Sequence, residues 1–170
     1  NYTVTVIDAH GCTKTNTVSI TQPPAPLSST VSATNVLCFG GNTGWASVNA
    51  AGGTGNYTYV WNPVGQNMPS VSGLAAGNYT CITSDANGCT VTHTFSITQP
   101  ADILPVISGN TTACSGQNAA LYASVQGGIP AYSYAWSPVS GTTSSIIVLP
   151  LTNTTYSVLS TDANGCTKIA

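Results

Sequence analysis

The feature that most constrains this chain is internal repetition with a period of 77 residues. Gly11-Cys12, Gly88-Cys89 and Gly165-Cys166 are spaced by 77, as are Tyr2, Tyr79 and Tyr156, and Asp8, Asp85 and Asp162. Ser19-Ile20-Thr21-Gln22-Pro23 returns as Ser96-Ile97-Thr98-Gln99-Pro100. A second block, Gly52-Gly53 with Tyr57, Tyr59, Trp61 and Pro63, returns 75 residues later as Gly127-Gly128 with Tyr132, Tyr134, Trp136 and Pro138. Such self-similarity marks an array of structural units stacked in series. The register predicts three pieces: a terminal hairpin of one module (1–22), one complete module (23–100), and a third that lacks most of its last strand (101–170). Pro-containing junctions at Gln22-Pro23-Pro24 and Gln99-Pro100 separate them. A register that opens inside a module predicts a window on a longer array.

Composition narrows the fold and the chemistry. The chain has two Lys, four acidic residues and no Arg, a charged fraction of 4% against an apolar fraction of 42%. The remainder is mostly Thr, Ser, Asn and Gly, which favours strands and turns. Two lysines 154 positions apart cannot form a phosphate-binding patch, so nucleic acid is not an expected partner. No apolar run approaches the roughly 20 residues that span a bilayer, so membrane insertion is not expected either.

In the complete module, residues 27–37, Trp45–Ala51, Tyr57–Trp61, Val71–Leu74, Tyr79–Thr83 and Thr90–Ile97 read as strands separated by Gly-rich turns. Short strands at this spacing predict an all-β fold of tandem immunoglobulin-like antiparallel β-sandwich modules. Trp61, Tyr79, Trp136 and Tyr156 are the expected core aromatics. Tyr57, Tyr59 and Trp61 share one strand face with period 2, which suits burial beneath a sheet; exposed, the same stripe would be a sugar-stacking platform. Trp45 has no aromatic counterpart in the third module and is the better candidate for an exposed contact. Asp8, Asp85 and Asp162 open Asp-x-x-Gly hairpin turns that Gly88 and Gly165 close with positive φ.

Candidates for catalysis are few. The three repeated aspartates lie a module apart, and catalysis by a carboxylate pair needs them together. His10 and His93 have no Cys or carboxylate at metal-ligand spacing, and no Cys-x-x-Cys occurs. The chain is therefore expected to be neither enzyme nor metalloprotein, and to need no cofactor. Asn1, Asn56, Asn78, Asn110 and Asn153 stand in Asn-x-Ser/Thr sequons, candidate glycosylation sites on a surface poor in charge.

The order Cys-x-Gly, Gly-Gly-x-x-x-Tyr-x-Tyr-x-Trp, Leu-x-x-Gly-x-Tyr, Asp-Ala-Asn-Gly-Cys and Ser-Ile-Thr-Gln-Pro resembles the SprB-type repeats of Bacteroidota. Module 23–100 matches throughout and 1–22 matches its end. Module 101–170 departs at Thr154-Thr155 and Ser144–Leu149, and is closer to general immunoglobulin- or PKD-like modules. The resemblance implies gliding-motility or surface adhesins exported by type IX secretion, hence an extracellular structural and adhesive role. Expected partners are neighbouring modules of the same protein, cell-surface glycans and other filament subunits. Two other readings stay open: carbohydrate-binding modules of a secreted enzyme, and a filament subunit that assembles by strand exchange.

Secretion predicts oxidised cysteines. Cys38 and Cys114 follow first strands; Cys12, Cys89 and Cys166 end the last hairpins. Six sequentially antiparallel strands would put first and last turns at one end and close Cys38–Cys89 and Cys114–Cys166 within modules, with Cys12 pairing outside this sequence. Seven strands in immunoglobulin order would separate those turns and bring Cys38 to Cys166 across the junction. Five clear strands and a weaker sixth favour the within-module pairs. Cys81 lacks a partner on the second strand and is expected to be buried and unpaired.

Overall fold

The computed structural model describes residues 1–170 and contains strands but no helix. Strands β1 (Tyr2–Ile7) and β2 (Thr13–Val18) form a two-stranded hairpin in which Tyr2 faces Val18 and Ile7 faces Thr13. Every residue of this hairpin is exposed.

Six strands follow: β3 (Ser28–Thr34), β4 (Gly44–Ala51), β5 (Thr58–Asn62), β6 (Ser70–Leu74), β7 (Gly77–Ser84) and β8 (Thr90–Ile97). They make two three-stranded antiparallel sheets, β3-β4-β6 and β5-β7-β8. Alternation sets the inward faces. Gly44, Ala46 and Val48 of β4 point in, as do Tyr79, Cys81 and Thr83 of β7. Val36, Val71, Leu74, Trp61 and Ile97 complete a single core drawn from both sheets. The arrangement is the immunoglobulin order with one edge strand missing.

The same plan recurs in β9 (Leu104–Gly109), β10 (Ala119–Gln126), β11 (Ser133–Ser137), β12 (Ser145–Val148), β13 (Ser157–Thr161) and β14 (Thr167–Ile169), with sheets β12-β10-β9 and β11-β13-β14. Ser144–Leu149 differs in sequence from the first sandwich, yet β12 pairs with β10 as β6 pairs with β4. The chain is thus all-β, built of antiparallel sandwiches.

Strand polarity departs from a simple meander. β5 and β6 both run toward the same end, because residues 63–69 return irregularly between them. Trp61 holds that return segment in place. Its N–H donates to the Gln66 carbonyl at 3.1 Å, its indole Nε1–H donates to the Met68 carbonyl at 2.7 Å, and the Val48 N–H reaches Pro69 O at 2.8 Å. In the second sandwich the Trp136 indole donates to Thr143 O at 2.9 Å. As a result six strands suffice to put the first turn (residues 35–43) and the last hairpin (85–89) at opposite ends. The strand count at the sequence level holds, but the polarity inferred from it does not.

The core aromatics are unequal. Trp61 (1% exposed), Trp136 (5%) and Tyr79 (7%) are buried, whereas Tyr156 is only half-buried. Phe95 of β8 stacks on Tyr79 at 5.8 Å and meets Trp61 edge-on at 6.0 Å. No ring stacks on Tyr156 as Phe95 stacks on Tyr79. Cys81 is fully buried and unpaired, and burial pushes its thiol pKa up.

Thr83 and its counterpart Ser160 bury hydroxyls that find no partner. A buried hydroxyl without a hydrogen bond is a cost, and Val has the shape of Thr without it. Thr83→Val should therefore raise stability by about 1 kcal/mol, read from the urea midpoint.

Candidate functional site: the junction between the sandwiches

The residues with most chemistry converge where the first sandwich ends and the second begins. β8 leads into Thr98, Gln99 and Pro100, and each has a task. The Thr98 carbonyl accepts from the Val36 N–H (2.9 Å), and its N–H donates to Asn35 Oδ1 (2.9 Å). Gln99 Oε1 accepts from the Gly40 N–H at 2.8 Å. The Ser-Ile-Thr-Gln-Pro motif thus plugs the core with Ile97, ties the last strand to the first turn, and starts the linker. Farther down the same strand pair, the His93 Nε2–H donates to the Ser29 carbonyl at 2.9 Å, binding β8 to β3 across the two sheets.

From the other side comes the last hairpin of the second sandwich, folded around Asp162. Oδ1 accepts from the N–H groups of Asn164 and Cys166, both at 2.9 Å, and Oδ2 accepts from the Ile129 N–H at 2.9 Å. Asp85 does the same at its own end, with Oδ1 on Asn87 (3.0 Å) and Cys89 (2.9 Å) and Oδ2 on Thr54 (3.0 Å). These carboxylates are buried, and each clamps the last hairpin to the turn between the second and third strands. The glycine pairs exist to admit them. Gly53 has φ 61°, and a Cβ there would lie 2.6 Å from Asp85 Oδ2; one on Gly52 would collide with the Pro26 carbonyl. Asp8 makes only the hairpin half, to His10 and Cys12.

The N–H groups fix the charge state. Donation from Thr54, then Cys89 and Asn87, holds the Asp85 carboxyl below its usual range despite some desolvation. For Asp162, burial pushes upward, but donation from Ile129, Cys166 and Asn164 outweighs it. A carboxylate whose pKa is lowered by folding stabilises the fold fully above its unfolded pKa, about 4, and loses that contribution as pH falls through the folded value. Stability should therefore drop steeply below about pH 4. In the Asp85→Asn/Asp162→Asn double variant, acid titration followed by circular dichroism should show a shallower fall from a lower starting midpoint.

Asn164 Nδ2 donates to the Leu37 carbonyl at 2.9 Å, and beside it Cys166 is bonded to Cys38, with Cα atoms 5.7 Å apart. This bridge replaces the within-module pairs Cys38–Cys89 and Cys114–Cys166. Cys89 and Cys114, like Cys12, are free and exposed. The reason is the polarity set by residues 63–69, which carries Cys38 and Cys89 to opposite ends of one sandwich and Cys38 and Cys166 to the same junction. Lys168 pairs with Asp102 of the linker, and the Gly128 N–H donates to the Ala101 carbonyl at 2.9 Å, so the linker is held as well. Nowhere do three His, Cys or acidic side chains gather as around a metal.

Residues 30–66 match the family model of the SprB repeat. Over this stretch the chain is similar to a SprB-type repeat. The match runs from β3 to the return segment after Trp61, and so covers the first turn with Cys38, the Gly52-Gly53 turn and the aromatic stripe. SprB repeats occur in cell-surface proteins, so the likeness suggests a surface adhesin-like repeat region. No curated protein matches the chain.

Outside the junction, Trp45 is 38% exposed on the outer face of β4. The stripe Tyr57, Tyr59, Trp61 faces inward, with Tyr57 donating to the Gly52 carbonyl at 2.7 Å. Asn1, Asn56, Asn78, Asn110 and Asn153 are all exposed. Sequence reasoning weighed His93 only as a metal ligand and missed its tie to Ser29, and it missed the second carboxylate oxygen of Asp85 and Asp162, for which the Gly-Gly pair repeated in step with the Asp was the available signal.

Proposed function

We propose that the chain is a structural and adhesive segment of a large extracellular bacterial surface protein or filament, with no catalytic role. The observation that carries this reading is the joining of consecutive sandwiches end to end by a covalent bridge, a clamped hairpin and a fixed linker. That is construction for holding two ends apart. Secretion, adhesion and a place in gliding motility extend the SprB likeness to this chain. In cells that make the protein, an antibody against residues 23–100 should label intact cells, and external protease should remove the signal. Labelling only after lysis would overturn the reading. Glycans on the five exposed sequon asparagines would supply the solubility that charge does not, and would appear as excess intact mass.

Burial of Trp61 and Trp136, with both indole N–H groups bonded to backbone, weighs against an aromatic sugar platform. Strand exchange keeps one observation in its favour. A cleft of about 600 Å³ opens beside Ala119, Leu121, Val148 and Tyr156. In the first sandwich the equivalent place, between Gly44 and Leu74, is taken by Ile97. On that reading a strand bearing Ser-Ile-Thr-Gln-Pro, the sequence of residues 19–23, would occupy this place from a second copy. Head-to-tail oligomers of the chain in solution, lost in Ile20→Asp, would support exchange; a monomer by light scattering would exclude it.

The separate cores lead us to take residues 23–100 as an independent folding unit and 1–22 as one that is not, since an isolated hairpin is marginal. Residues 23–100 alone should unfold in one cooperative transition by circular dichroism, and 1–22 alone should show no strand signal.

A further inference from the structure

We propose that the Cys38–Cys166 bridge makes the junction a covalent load line, passing axial tension from the first strand of one sandwich to the last strand of the next and sparing the ten strands between them. Those ten are β4–β13. β3 runs toward the junction and ends just before Cys38; β14 starts just after Cys166 and runs away from it. Tension entering at β3 therefore crosses the sulfur–sulfur bond into β14 without reversing direction. Strands β4–β13 lie inside the closed loop, while β1 and β2 precede it.

The strands on the line are also the ones anchored laterally. His93 to Ser29, Thr98 to Val36 and Asn35, and Gln99 to Gly40 all join β3 and its turn to β8 and its exit. Lys168 with Asp102 ties β14 to the linker beside β9. Each sandwich is thus spanned by two parallel strands running end to end, one first and one last.

The repeat extends the scheme. Cys114 follows β9 as Cys38 follows β3, while Cys12 and Cys89 occupy the hairpin position of Cys166, and all three are exposed thiols. A unit stacked in the same way on either end would bring the missing partner within reach. Each further bridge would form by exchange with a disulfide oxidant, two thiols giving up two electrons and two protons as the oxidant becomes a dithiol. Two covalent lines would then run side by side, each alternating a first strand and a last strand. The use of this line in a cell rests on the surface-segment reading; the mechanical property does not.

The test is to stretch the full chain between peptide tags at its two ends by force spectroscopy. The bridge encloses a sequence separation of 128 residues, so oxidised chain should reach full extension about 430 Å earlier than chain reduced by a phosphine, at ~3.4 Å per residue. The oxidised trace should also lack the step of about 250 Å that opening a whole sandwich would release. Cys166→Ser should behave as reduced chain without reductant; Cys89→Ser and Cys114→Ser should keep the short extension. Contour length does not depend on folding, so a variant that folds poorly still reports. If oxidised chain stretches as far as Cys166→Ser, or if Cys89→Ser lengthens it, the load line is wrong. Either result leaves surface labelling untouched, so the two readings fail separately.

Discussion

Trp61→Ala should lower the stability of the first sandwich by about 3–5 kcal/mol, the range for removing a large buried aromatic. Two losses add here. The ring is 1% exposed and meets Phe95 edge-on at 6.0 Å, so its removal opens a cavity that the two sheets can only partly close. The indole Nε1–H also anchors the Met68 carbonyl, so residues 63–69 lose a tether. Urea unfolding followed by far-UV circular dichroism is the measurement. Trp61→Phe should recover part of the packing and none of the tether, and should fall between wild type and Ala. A cost under 1 kcal/mol for Trp61→Ala, with lost binding to a glycan, would revive the sugar-platform reading.

Cys166→Ser should have the second large effect, and a different signature. Closing a loop of 128 residues stabilises by about 4–5 kcal/mol in the chain-entropy account, with about 2 kcal/mol a reasonable lower figure. The loop spans parts of both sandwiches, so the bridge also couples them. Oxidised wild type should unfold in one transition, and Cys166→Ser in two. Cys89→Ser and Cys114→Ser should change nothing, since both thiols are free and exposed. Loss of stability in Cys89→Ser would restore the within-module pairing.

The period of 77 residues made the architecture legible, because the strands it organises alternate cleanly: Gly44, Ala46, Val48 against Trp45, Ser47, Asn49, and Tyr79, Cys81, Thr83 against Thr80 and Ile82. The weak strand at Val71–Leu74 is real, and its weakness in sequence reflects a partner, β4, that it meets for only a few residues. Bridge connectivity was not legible. It depends on which way β6 runs, and that is decided by an irregular segment, Pro63–Pro69, held by the nitrogen of a buried indole. Periodicity says nothing of such a segment. The role of Asp85 was half visible. Asp-x-x-Gly announces a turn, but the reach of Oδ2 to Thr54, 31 residues earlier, is a tertiary fact. Tyr156 shows the same limit in another form: its repeat position matches Tyr79, while burial depends on what packs over the ring, as Phe95 does for Tyr79.

The irregular passage from Asn62 to Ser70 has a further consequence for growth. An even number of strands joined by hairpins alone brings a chain back to the side where it entered, and a series of such units would zigzag. Here the unstranded return adds a half-cycle, so each unit is entered at one pole and left at the other. Copies can then be inserted or removed without changing the heading of those that follow, and reach increases in direct proportion to copy number.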